Sequence, residues 1–64
     1  MDRKESILAV AKLIVPMLDG NLGAIKAYNQ LEFEIAKNLG TEEAESIVDD
    51  AHQLVATAET LLKK

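Results

Sequence analysis

The feature that most constrains the fold of this chain is its first hydrophobic run, between residues 7 and 18, which reads ILAVAKLIVPML. Lys12 is the only charged residue in the run. On a helix with about 100° per residue, apolar side chains surround nearly the whole circumference and leave a polar strip of Glu5, Ser6 and Lys12. A helix of this kind is typical of a buried position. A chain of 64 residues offers little material to cover it.

The same run is too short for a membrane span, which needs about 20 apolar residues. A secretory signal peptide is the other alternative. Lys12 interrupts the apolar stretch, and Asp2 and Glu5 offset the charge of Arg3 and Lys4, which does not suit such a signal. We therefore predict a core helix and no interaction with a membrane.

Length and composition predict one domain over residues 1–64 and limit how it can be stabilised. A chain of this size buries only about 60% of its unfolded surface and usually needs a further stabilising device. There is no cysteine and only one histidine, which excludes disulfides and leaves oligomerisation as the expected device. The absence of cysteine also permits a reducing compartment, and we expect a cytoplasmic protein without a cofactor.

Helix 1 is expected to begin near Asp2 and to run to about Leu18. Pro16 complicates this prediction because it removes one helical hydrogen bond and disfavours helical geometry at the preceding residue. We favour a kinked helix that continues to the end of the run and is capped by Gly20 in a left-handed conformation. The alternative is a helix that stops at Val15.

Two further helices follow. Helix 2 is predicted from Leu22 to Leu39, with Asn21 as its N-cap. Gly40 is expected to cap its C-terminus, and Thr41 to be the N-cap of helix 3. Helix 3 is predicted over residues 42–62, where apolar residues recur in a heptad pattern. The residues of this pattern are Ala44, Val48, Ala51, Val55, Ala58 and Leu62.

Both connections are short, so neighbouring helices must be antiparallel. The predicted fold is all-α, an up-down-up three-helix chain that associates as a helical-bundle homodimer. Dimerisation is expected because helix 1 is apolar on nearly every side, helix 2 carries Phe33 off its core stripe, and helix 3, at about 31 Å, outruns helix 1. The residues predicted at the interface are Leu13, Met17, Leu22, Phe33, Leu54, Leu61 and Leu62. Phe33 could be covered by a partner or by helix 1.

A resemblance in spacing to a DNA-binding helix-turn-helix occurs in the hairpin of residues 34–48. The hydrophobic residue expected six positions after Gly40 is instead Ser46, and Glu42, Glu43 and Glu45 would face DNA phosphates. The net charge of −4 also disfavours binding to nucleic acids. Nucleic-acid recognition by this hairpin is therefore the runner-up, and a simple Gly-capped hairpin is the preferred interpretation.

A metal site around His52 is also disfavoured. Glu45 and Glu59 are each seven residues away, more than about 10 Å along a helix, so the three residues cannot converge on one ion. Asp49 alone makes only a weak pair with His52, which is better explained as a solvated histidine. No nucleophile and base stand at a spacing that would place them in contact, and we expect no enzymatic activity.

Acidic residues form a possible docking strip along helix 3, made up of Glu42, Glu45, Asp49 and Glu59. Such a strip can receive a basic partner, although charged helix faces are usually only solvated. Taken together, the sequence predicts a small acidic helical module for protein–protein interaction or regulation that acts as a homodimer. It does not name the partner.

Overall fold

The computed structural model describes residues 2–62, which form three helices without a β-strand. These are α1 (Arg3–Leu18), α2 (Leu22–Leu39) and α3 (Thr41–Leu62). Each helix packs against both of the others. The N-terminal turn of α1 contacts the first half of α3, so α1 and α3 run in the same direction while α2 runs in the opposite one. The predicted all-α, up-down-up arrangement of one chain is confirmed.

The first helix continues through Pro16 to Leu18, as favoured from the sequence, and the alternative of a helix that stops at Val15 is wrong. Pro16 has no N–H to donate to the Lys12 carbonyl, but it lies in the last turn, where only Met17 and Leu18 of α1 follow it. The end of α1 forms a Schellman motif around Gly20, whose φ is 81°. Its N–H donates to the Met17 carbonyl at 3.0 Å, and the Asn21 N–H donates to the Pro16 carbonyl at 3.2 Å.

Both connections are closed by local hydrogen bonds. The Asn21 side chain caps α2 by accepting from the Ala24 N–H at 3.1 Å, as predicted. The prediction that Thr41 is the N-cap of α3 is wrong, because Thr41 is already the first helical residue. Gly40 serves both helices instead: its N–H donates to Ala36 at 2.9 Å, and its carbonyl accepts from Ala44 at 3.0 Å. A connection of one residue leaves no room for a separate cap.

The core lies where the three helices meet and draws most heavily on α3. Of the predicted heptad residues of α3, Ala44, Ala51 and Val55 are buried, but Ile47 is fully buried where Val48 is only half-buried, and residues 56–62 are all exposed. With 22 residues α3 spans about 33 Å, against about 24 Å for the 16 residues of α1. The buried cluster consists of Val10, Ala11, Ile14, Ile35, Ala44, Ile47, Ala51 and Val55.

The first helix is less buried than its sequence suggests. Leu8, Val15 and Leu18 are exposed, because two neighbouring helices cover only part of its circumference. Ser6, expected on the polar strip, is fully buried, and its hydroxyl donates to the Asp2 carbonyl at 2.9 Å. The local hydrogen bond satisfies this hydroxyl and allows a polar side chain inside the bundle. The expectation that Ser6 belongs to a solvent-facing polar strip is therefore wrong.

Candidate functional site

An apolar groove runs between the first and third helices; we call it the α1–α3 groove. It has a volume of about 330 Å³. Because the two helices run parallel, the second half of α1 lies beside the last turns of α3, where burial has ended. The residues that line the groove are Leu8, Ala11, Lys12, Val15, Leu54, Val55, Ala58, Glu59 and Leu62.

The large side chains of this groove are open to solvent. Val15 is 56% exposed, Leu54 42% and Leu62 86%. Single exposed aliphatic residues are ordinary on protein surfaces, but several that line one groove form a contiguous apolar patch of the kind found at interaction sites. Among residues 2–62, the charged side chains that line the groove are Lys12 and Glu59, one from each helix.

The structure brings together only part of the predicted interface. Leu54 and Leu62 both line the α1–α3 groove. Leu22 and Leu61 are exposed, and the topology places them at the same end of the bundle as Leu62. Phe33 lies in a different groove.

Two predicted interface residues of α1 are partly covered within the chain. Leu13 is half-buried, and Met17 packs against the core cluster. Leu8 and Val15, which line the groove, were not among the predicted interface residues. Their spacing of seven residues places both side chains on one face of helix 1, but it does not show whether the neighbouring helices cover that face.

A second groove lies between α2 and the start of α3; we call it the Phe33 groove. Its volume is about 430 Å³. Phe33 is 67% exposed, so the alternative that helix 1 covers this side chain is wrong. The residues that line the groove are Asn29, Glu32, Phe33, Ala36, Thr41, Ala44 and Glu45.

The predicted acidic strip on α3 is divided between these two grooves. Glu45 lines the Phe33 groove, and Glu59 lines the α1–α3 groove. Glu42 and Asp49 are exposed and flank Glu45 at helical spacing, so they continue the negative charge beside the Phe33 groove. The strip therefore supplies most of its charge to one site rather than forming a continuous surface.

Tyr28 and His52 connect α2 to α3 next to the Phe33 groove. The Tyr28 hydroxyl lies 3.0 Å from His52 Nε2, and the two rings meet edge to face. Burial raises the pKa of Tyr28 above its ordinary value, and the negative charges of Glu32 and Asp49 raise it further. Both carboxylates are thus close enough to act on one hydroxyl. His52 is exposed, and residues 2–62 contain no group of three or more metal-ligating side chains.

Arg3 ties the start of α1 to α3. Its guanidinium donates to Asp50 at 2.6 Å, to the Ser46 hydroxyl at 2.8 Å and to the Glu43 carboxylate. The hydrogen bond to Asp50 is the largest of the effects that raise the pKa of Arg3. Sequence analysis missed this cluster because Arg3 is 40 or more residues away from each of its three partners. It stabilises the parallel packing of α1 and α3 next to the acidic start of the third helix.

Comparison with protein-family models finds no match, and comparisons with curated proteins and with solved structures find no significant one. Within the described residues, no helix combines the length and the hydropathy that crossing a membrane requires.

Proposed function

We propose that this protein is a small helical interaction module that forms a homodimer through the α1–α3 groove. The observation that carries the proposal is the exposure of Leu8, Val15, Leu54 and Leu62 along one groove. Burial of apolar surface contributes about 25 cal/mol per Å². Domains of this size have a total stability of only several kcal/mol, so covering these four side chains would be a substantial addition.

The charges of the groove support a second copy as its occupant. Lys12 stands on the α1 wall and Glu59 on the α3 wall. A two-fold axis that runs parallel to these two helices would pack α1 of one copy against α3 of the other and place each Lys12 against the partner's Glu59. An isologous contact of this kind buries the same patch twice and closes, which prevents open-ended association. The groove is therefore complementary to itself in both hydropathy and charge.

The exposed end of α3 extends this surface. Leu61 and Leu62 lie beyond Val55, the last buried residue of the helix, and both are exposed. Leu18 and Leu22 flank the connection at the same end of the bundle and are also exposed. A second copy seated on the α1–α3 groove would have these side chains within reach at the edge of the contact.

Sedimentation equilibrium on the wild-type chain and three variants tests the proposal. We expect a mass near twice 7.0 kDa for the wild type and a shift toward the monomer in Leu54→Gln and Leu62→Gln. Leu39→Gln is the matched control, because Leu39 is similarly exposed but lines a groove between α1 and α2. A monomeric wild type at micromolar concentration, or equal dissociation in the Leu39 control, would refute the proposed interface.

A further inference from the structure

We propose that the Phe33 groove docks a basic amphipathic helix of a partner protein. This goes beyond self-association, because the groove is separate from the α1–α3 groove and remains open in the proposed dimer. A dimer would present two such sites. The inference depends on three features of the groove: its shape, its charge and its incompatibility with a second copy of this chain.

The shape suits an apolar side chain between two helices. Ala36 on α2 and Ala44 on α3 form the base of the groove, and Phe33 stands beside them with most of its ring exposed. Because the alanines are small, they leave a depression that a Leu or Met side chain of a partner can fill against the aromatic ring. A groove between two helices is a common docking site for an amphipathic third helix.

The charge of the groove selects a basic partner. Glu32 and Glu45 line it from opposite helices. On α3, Glu42 lies three residues before Glu45 and Asp49 four residues after it. The three carboxylates therefore form a row about 10 Å long. The carboxylates of Glu32 and Asp49 both act on Tyr28, which supports their convergence on one side of the α2–α3 contact. Lysine or arginine side chains along a partner helix would meet this row of carboxylates.

The lysines of α2 restrict where the partner can lie. Lys26 lies seven residues before Phe33 and Lys37 four residues after it, so both lysines share the face of α2 that carries Phe33. Glu32 lies about 100° away, on the side of α3. Glu34 lies on the opposite side of Phe33, towards α1, so the two lysines separate it from Glu32, and a basic helix is directed into the groove rather than across the outer face of α2.

A second copy of this chain is a poor occupant of the groove. An isologous contact would bring the carboxylates of two identical sites together, and the net charge of each chain is −4. The same carboxylates would repel the phosphates of a nucleic acid. A basic protein helix is the partner chemistry that satisfies both the apolar and the acidic part of the site.

Titration of a designed helical peptide into the isotopically labelled full chain, followed by NMR, tests this inference. The probe has lysines on one face and leucines on the other, and its control carries glutamates in place of the lysines. We expect shifts at residues that line the Phe33 groove, and binding that weakens as salt concentration rises. Phe33→Ala should weaken binding about tenfold or more, as truncation of an aromatic anchor does.

Glu32→Gln and Glu34→Gln provide a matched pair. Both remove one negative charge from α2, but Glu34 lines the groove between α1 and α2. We expect Glu32→Gln to weaken peptide binding about threefold or more and Glu34→Gln to leave it nearly unchanged. Equal losses in the two variants, equal binding of the glutamate peptide, shifts confined to the α1–α3 groove, or no binding would each overturn the inference. Leu54→Gln distinguishes this inference from the proposed dimer, because that variant should lose self-association but still bind the peptide.

Discussion

The hydroxyl of Tyr28 lies 3.0 Å from Nε2 of His52 and joins the middle of α2 to the middle of α3. Tyr28 is the only tyrosine in the chain, so its ionisation can be followed without overlap from another phenol. Its half-buried ring and the nearby carboxylates of Glu32 and Asp49 make the charged form unfavourable in the folded state. Ionisation of Tyr28 therefore connects folding stability to pH in the alkaline range.

We expect part of the free energy of unfolding to be lost at alkaline pH through Tyr28. Its folded pKa is raised above the ordinary value of 10.0, so the folded state holds the proton more tightly than the unfolded state. The associated stability is fully present below about pH 10 and decreases as pH rises through the folded pKa. Tyr28→Phe should make this decrease shallower, as measured by urea denaturation at a series of pH values. Identical slopes for the two proteins would contradict the prediction.

Charge exchange between two chains tests the proposed two-fold contact of Lys12 with Glu59. Lys12→Glu and Glu59→Lys should each weaken self-association, because each homodimer would place like charges together. Mixing the two variants should restore it, since both pairs become opposite in the heterodimer. Measurement of mass by light scattering, alone and in an equimolar mixture, checks this. Failure of the mixture to associate would rule out this register, even if Leu54→Gln shows that the groove is an interface.

Ile47 is fully buried on α3 and should be one of the most sensitive positions for stability. Ile47→Val is expected to cost about 0.5–1.5 kcal/mol and Ile47→Ala about 2–5 kcal/mol of unfolding free energy. Leu39→Ala, at a side chain that is 48% exposed, should cost clearly less than Ile47→Ala. Denaturant unfolding of the four proteins measures the difference. A similar loss at both positions would show that the core does not lie where α3 buries Ile47.

Arg3 should stabilise the fold in a salt-dependent manner through Glu43, Ser46 and Asp50. Arg3→Ala is expected to lower the melting temperature more at low than at high ionic strength, because exposed ion pairs are screened by salt. Arg3→Lys should recover only part of the loss, since an ammonium group cannot present the planar fork of a guanidinium to several acceptors. Thermal melts at two salt concentrations test this. An equal loss at both would indicate a packing effect of the side chain instead.

Helix boundaries could be predicted closely because the signals that set them are local. The amide of Asn21 reaches the start of α2 whatever the rest of the chain does, and Gly20 and Gly40 adopt positive φ values that other residues disfavour. Pro16 was ambiguous from sequence because a proline removes a helical hydrogen bond and clashes with the preceding turn, and the sequence does not show whether the helix then bends or ends. The one error at a boundary, Thr41, arose because a helix can begin within one residue of the previous one.

What the sequence determined by itself is thus the number, length and order of the helices, since short-range hydrogen bonds and apolar periodicity specify them. The tertiary structure decided which face of each helix is covered. The rotation of α1 relative to its neighbours buries Ser6 and leaves Val15 exposed to solvent. The packing of α3 against the other two helices places Glu45 and Glu59 in different grooves. Periodicity gives the angular positions of side chains on one helix, but contacts between helices depend on their relative rotation and offset, which only packing of the whole bundle sets.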